Sequence, residues 1–163
     1  MASIKGLQLK AIKKTHGMED EGFIANLYFN GKKIGSCADY GDGGMLNVRY
    51  DDQKVREQVE QQVKAYFAEH PAEDPTLECV SDLIYRLYSL NGLESFFKRC
   101  VKAGWPYIVF LDAPLTYMGK LPREDTTAYK TEKAANDGKK KLEAEYPGCT
   151  AIVFRSAADF IIL

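Results

Sequence analysis

Asn30-Gly31 is the strongest constraint on how this 163-residue chain folds. The pair is the preferred two-residue loop of a type I′ turn, because both central residues need a positive φ. Strand-forming residues flank it from Phe23 to Phe29 and from Lys32 to Tyr40. A β-hairpin follows. With Asn30 and Gly31 as the loop, Phe29 faces Lys32, Leu27 faces Ile34, Ala25 faces Ser36 and Phe23 faces Ala38. That register puts Phe23, Ala25, Leu27, Phe29, Ile34 and Ala38 on one side of the sheet. Ile24, Asn26, Tyr28, Lys33, Gly35, Cys37 and Asp39 fall on the other.

Strands are expected on either side of this hairpin. Gly6 to Lys14 alternates, with Leu7, Leu9 and Ala11 on one face. Met45 to Tyr50 alternates too, after the glycine-rich loop Asp39 to Gly44. Four consecutive antiparallel strands make a meander. At Asp51 the period changes. Asp51 or Asp52 caps a helix to about His70, with Val55, Val59, Val63, Tyr66 and Phe67 as its apolar stripe. Thr76 to Lys102 is helical as well, and Asn91-Gly92 is expected to split it in two. Tyr107 to Leu111 reads as a buried central strand. Asp112 to Asp125, with Pro114 and Pro122, reads as irregular. Thr126 or Thr127 is expected to cap a helix to Tyr146, and Thr150 to Arg155 to form a late strand. The apolar tail Asp159 to Leu163 is expected to pack or pair. The fold class is thus α+β, an N-terminal antiparallel meander followed by helices and additional C-terminal strands. Residues 1–163 are read as one domain.

Charge is balanced, with 22 Lys plus Arg against 23 Asp plus Glu. That argues against a whole-surface nucleic-acid binder and against an acidic mimic of nucleic acid; only a local patch could serve either role. Cys37, Cys79, Cys100 and Cys149 include no CxxC pair, so four buried free thiols are expected. MASIKGLQLK lacks the apolar core of a signal peptide. No run reaches the roughly 18 apolar residues that a membrane span needs. A cytoplasmic, reducing setting is the expectation.

Two acidic, glycine-rich loops attract notice: Gly17 to Gly22, with Glu19, Asp20 and Glu21, and Asp39 to Gly44, with Asp39, Tyr40 and Asp42. In a meander both leave the same end of the sheet. Their carboxylates suit three readings: turn chemistry, an acidic partner-binding surface, or a hard-cation site. The EF-hand pattern is absent. His16 and His70 are the only histidines, and of the two only His16, next to Cys37, suggests a nucleophile–base pair. No G-x-S-x-G, Walker A, HExxH or dinucleotide fingerprint occurs. No catalytic residue, metal ligand or cofactor is therefore assigned. Tyr28 with Tyr40 and Tyr50, beside Lys33 and Arg49, is a third candidate. Such an aromatic strip stacks bases or anchors a protein, unless helices cover that face.

The string from His16 to Gly35, HGMEDEGFIANLYFNGKKIG, followed by Ala38 to Gly44, ADYGDGG, resembles small uncharacterised proteins of bacteriophages and other mobile elements. Those carry a Gly-x-Glu-Gly-Phe-like turn, a Leu-Tyr-Leu-x-Gly-Lys-Lys hairpin and an acidic glycine loop. Gly22, Phe23, Ala25, Leu27, Tyr28, Gly31, Lys32, Lys33, Asp39, Asp42, Gly43 and Gly44 match, within residues 7–50. The resemblance implies a genetic setting, the cytoplasm of a bacterial host cell, and nothing catalytic. The expected function is non-catalytic protein binding, in its sharpest form anti-CRISPR-like inhibition of a host defence system. The expected partner is a bacterial protein, met through Glu19, Asp20, Glu21, Tyr28, Lys33, Asp39, Tyr40 and Asp42. Nucleic acid is expected to bind weakly or not at all, with no membrane, and self-association stays open. Nucleic-acid binding through the Tyr28/Lys33 face is the first alternative. A metal-dependent enzyme using the acidic loops is the second.

Overall fold

The computed structural model describes residues 1–18, 20–72, 74–112 and 126–163. The chain divides into two compact units, residues 1–91 with 161–163, and residues 92–160. The first holds β1 (Ser3–Ile4), β2 (Leu7–His16), β3 (Glu21–Phe29), β4 (Lys32–Asp39), β5 (Asn47–Tyr50) and α1 (Gln53–Glu69). It also takes the first half of α2 (Val80–Lys102) and the terminal strand β9 (Ile161–Ile162). The second unit holds β6 (Tyr107–Asp112), β7 (Thr126–Tyr129), α3 (Glu132–Glu145) and β8 (Thr150–Phe154). The antiparallel meander β2 to β5, the helices after it and the later strands make the protein α+β.

The first sheet has the order β5-β4-β3-β2-β1-β9. Asn30 (φ 48°) and Gly31 (φ 80°) form the expected two-residue turn. Lys5 (φ 47°) and Gly6 (φ 80°) repeat it between β1 and β2, a hairpin that the alternation of the sequence did not announce. The backbone N–H of Asn30 donates to the Gly6 carbonyl at 2.9 Å, so the two turns brace each other. The tail pairs as expected: β9 runs parallel to β1, with Ile161 opposite Ser3 and Ile162 opposite Ile4. Phe23, Ala25 and Leu27 of β3 and Leu7 and Leu9 of β2 are buried on one face. Phe23 stacks on Tyr88 of α2 with ring centroids 4.1 Å apart. Asp52 caps α1 by accepting from the Lys54 N–H, and Val59, Val63, Tyr66 and Phe67 are its buried stripe. Leu83, Ile84 and Leu87 form that of α2 in this unit.

The hairpin register departs from strict alternation. Tyr28 faces Lys33, but Leu27 faces Gly35, Ala25 faces Cys37 and Phe23 faces Asp39. Ile34 is the extra residue of a β-bulge. Ile34 and Cys37 are three positions apart, so an unbroken strand would bury only one; the bulge buries both. Cys37 therefore lies on the core face, not the opposite one, and Ala38 changes sides. A second bulge separates Lys10, opposite Asn26, from Lys13, opposite Ile24. Ala11 sits in it at φ 54° and is exposed, not on the buried face expected of it.

In the second unit β6 is central, with β7 and β8 antiparallel on either side. Val109, Leu111, Ala151 and Val153 pack with Ala135 of α3 and with Cys149. Phe160 is fully buried and stacks on Phe154 at 4.5 Å. Two helix expectations are corrected. Asn91-Gly92 does not split α2, which runs unbroken for 23 residues. Asn91 Nδ2 donates to the Leu87 carbonyl at 2.8 Å, and a mid-helix glycine costs only about 1 kcal/mol, less than the apolar stripe supplies. Thr126 and Thr127 do not cap a helix. They lie in β7, where β-branched residues suit a strand, and Thr131 caps α3 by accepting from the Ala134 N–H. The irregular stretch proposed between Asp112 and Asp125 lies, beyond Asp112, outside the described residues.

Candidate functional site

The two acidic loops meet, as the meander requires. Asp20 donates its N–H to the Gly41 carbonyl at 3.0 Å, and Gly17 donates to the Asp20 carbonyl at 3.1 Å. The contact is backbone against backbone: a methyl group at Gly17 would collide with the Gly41 carbonyl, and one at Gly41 with that of Asp20. Glycine at both positions thus sets the approach of the loops.

The carboxylates spend much of their capacity on this scaffold. Asp20 Oδ1 accepts from the Glu21 N–H at 2.7 Å, and Asp42 Oδ1 from the Gly44 N–H at 3.1 Å. Asp39 is fully engaged. Its Oδ1 accepts from the Gly41 N–H at 2.9 Å, its Oδ2 from the Tyr85 hydroxyl at 2.8 Å, and its carbonyl from Thr15 Oγ1 at 2.8 Å. Glu21 pairs with Lys14 at 2.9 Å, which holds its carboxyl below and the lysine above their ordinary ranges. Among the described residues no group of three or more His, Cys, Asp or Glu converges to hold a metal ion. Glu19 lies outside the described residues.

Three apolar side chains emerge from the same loops. Met18 is 99% exposed, Met45 93% and Tyr40 55%. Sequence reasoning singled out only Tyr40. The signal for Met18 was a large apolar residue inside a glycine-rich polar loop; Met45 carried none, because the alternation from Met45 to Tyr50 assigned it to a strand that begins only at Asn47.

Tyr28, Tyr40 and Tyr50 do not form one strip. Tyr50 faces Gly35 on the core side and is half-buried, which pushes its hydroxyl up to about 12. Tyr40 belongs to the end loop. Tyr28 alone remains on the outer face of the meander, and among the described residues the side chains around it on that face, from Gln8 and Lys10 to Asn47 and Arg49, are exposed or half-buried; only Gly22, at the far end of β3, is buried there. The pairing register orders the face in rows. Gln8, Tyr28 and Lys33 lie side by side; then Lys10, Asn26, Ser36 and Arg49; then Lys13, Ile24, Ala38 and Asn47. Four cations and no carboxylate stand on these strand positions. Lys10 Nζ lies 4.2 Å from the centroid of the Tyr28 ring.

Burial pushes the Cys37 thiol up to about 11, so it is not a nucleophile near neutrality, and His16 is an exposed side chain near Glu21. Cys79 is exposed in the turn before α2, not buried in a helix, while Cys149 is buried and Cys100 half-buried. A shallow pocket of about 420 Å³ in the second unit is lined by Arg99, Cys100, Ala103, Trp105 and Ala128. Burial raises the Cys100 thiol, and no general base lines the pocket. Among the described residues no helix is long and apolar enough to cross a membrane. No family model, no curated protein and no solved structure matches the chain.

Proposed function

We propose that the protein is a non-catalytic binding module that docks a bacterial protein through the two touching loops at the end of the first sheet. One observation supports the reading: Met18, Tyr40 and Met45 stand exposed on loops held together backbone to backbone. Burying a methionine side chain against a partner contributes about 1.5–3 kcal/mol. Methionine adapts to irregular surfaces, and tyrosine is enriched where binding energy concentrates. Asp20, Glu21 and Asp42 fringe this apolar set and favour a basic partner surface. Asp39 acts from inside the loop as its anchor. The resemblance of residues 7–50 to phage and mobile-element proteins supports an anti-CRISPR-like version, in which the partner belongs to a host defence system and is blocked by occupation. No cofactor is called for.

The test is affinity capture from bacterial lysate with the unmodified protein and with Met18→Ser/Tyr40→Ser/Met45→Ser, both checked for native circular dichroism. The expected result is a partner enriched by the first and lost with the second. A captured partner indifferent to the loop variant would sink the reading. The inhibitor version is checked by phage plating on a host carrying the partner's defence system, where expression of the protein should restore plaques.

A further inference from the structure

We propose that the outer face of the meander is a binding site for single-stranded RNA, separate from the end loops. Lys10, Lys13, Lys33 and Arg49 stand on that face with no carboxylate among the strand positions between them. The chain as a whole carries a formal net charge of -1, so the clustering is local and not a consequence of composition. Like charges so placed repel one another, and a polyanion relieves that repulsion while releasing its own counterions.

Tyr28 supplies the second component. It sits in the row next to Lys10 and Arg49, on a strand inside the sheet, where the backbone is held by pairing on both sides. A ring on a rigid, open sheet is a stacking platform for a base that is not already paired and stacked, which selects a single strand over a duplex. The Lys10 ammonium lies over this ring. An arriving base displaces it, and the freed ammonium is left beside the phosphate that the base brings. Between the cations stand Gln8, Asn26, Ser36 and Asn47. Their side chains both donate and accept, matching the 2′-hydroxyl as well as base edges, and this favours RNA over DNA.

The experiment is fluorescence anisotropy with a fluorescein-labelled single-stranded RNA twelve-mer of mixed sequence, titrated with the full chain across a salt series. DNA of the same sequence and an RNA duplex are the comparison arms. Four phosphate contacts predict a slope of log K against log salt of about −3. Tyr28→Leu should weaken binding about tenfold with little change in that slope. Lys10→Gln/Lys33→Gln should halve the slope to about −1.5. Asp20→Asn/Asp42→Asn, at the end loops, should leave RNA affinity unchanged or slightly tighter, so this site and the protein-docking loops fail independently. No binding in low salt at high protein concentration overturns the proposal, as does affinity indifferent to Tyr28→Leu in a natively folded variant. Duplex or single-stranded DNA bound as tightly as the RNA overturns it too.

Discussion

Tyr85 on α2 donates its hydroxyl to Asp39 Oδ2 at 2.8 Å, tying the end of β4 to the helix packed on the sheet. The other oxygen of the same carboxylate accepts from the Gly41 N–H. Asp39 thus joins helix, strand and loop. Hydrogen bonds to a charged group contribute about 1.5–3 kcal/mol, so Asp39→Ala should lower stability by about 2–3 kcal/mol. Asp42→Ala removes one exposed turn contact and should cost less than about 1 kcal/mol. Urea denaturation separates the two, and equal midpoints would show that Asp39 is only another surface acid.

Stability should fall in alkali. Burial, with the Asp39 carboxylate behind it, pushes the Tyr85 hydroxyl up to about 12, and burial raises Tyr50 to about 12 and Cys37 to about 11. In the unfolded chain tyrosine loses its proton near about 10 and cysteine near about 8.5. The folded state holds these protons more tightly, so their contribution is complete below the unfolded values and is lost as pH rises through the folded ones. Denaturation midpoints should be level to about pH 8 and decline from about 9 to 12. Tyr85→Phe should make the decline shallower. A flat profile to pH 11 would refute the burial of Cys37 and the half-burial of Tyr50.

Two glycines should respond in opposite directions. Gly31 holds φ 80° in the hairpin turn, which a β-branched residue resists, so Gly31→Val should cost about 1–2 kcal/mol. Gly92 is an exposed position inside α2, and an added methyl meets nothing within 4 Å. Gly92→Ala should stabilise by about 0.5–1 kcal/mol. Thermal melts of both variants check the pair; a destabilised Gly92→Ala protein would mean that α2 is interrupted there.

The thiols should react in the order of their exposure. Cys79 is exposed, Cys100 half-buried, and Cys37 and Cys149 buried, all unpaired. A thiol reagent should therefore label Cys79 first and reach Cys37 and Cys149 only on unfolding. Counting on denatured protein prepared without reductant should find all four, and a lower count would reveal a disulfide.

Local chemistry made much of this protein legible. Asn30-Gly31 announces its turn because few residue pairs tolerate two positive φ angles in succession. Asp52 announces the start of α1 because a short acceptor before an apolar 3.6-residue period has one common use. The glycines at 17 and 41 and the acids around them marked loops that do meet. Tertiary structure decided the rest. Ile34 and Cys37 compete for one core, and only their packing against Leu27 and Ala25 selects a bulge over strict alternation. Asn91-Gly92 looks like a helix stop locally, but buried residues before and after it outweigh about 1 kcal/mol of propensity. Asp39 reads in the sequence as one more surface acid; its role depends on Tyr85, forty-six positions away. The openness of the Tyr28 face is likewise non-local. Alternation names the residues that share a face, but which face the helices cover depends on where α1 and α2 pack, and that is settled by burial summed over the whole unit.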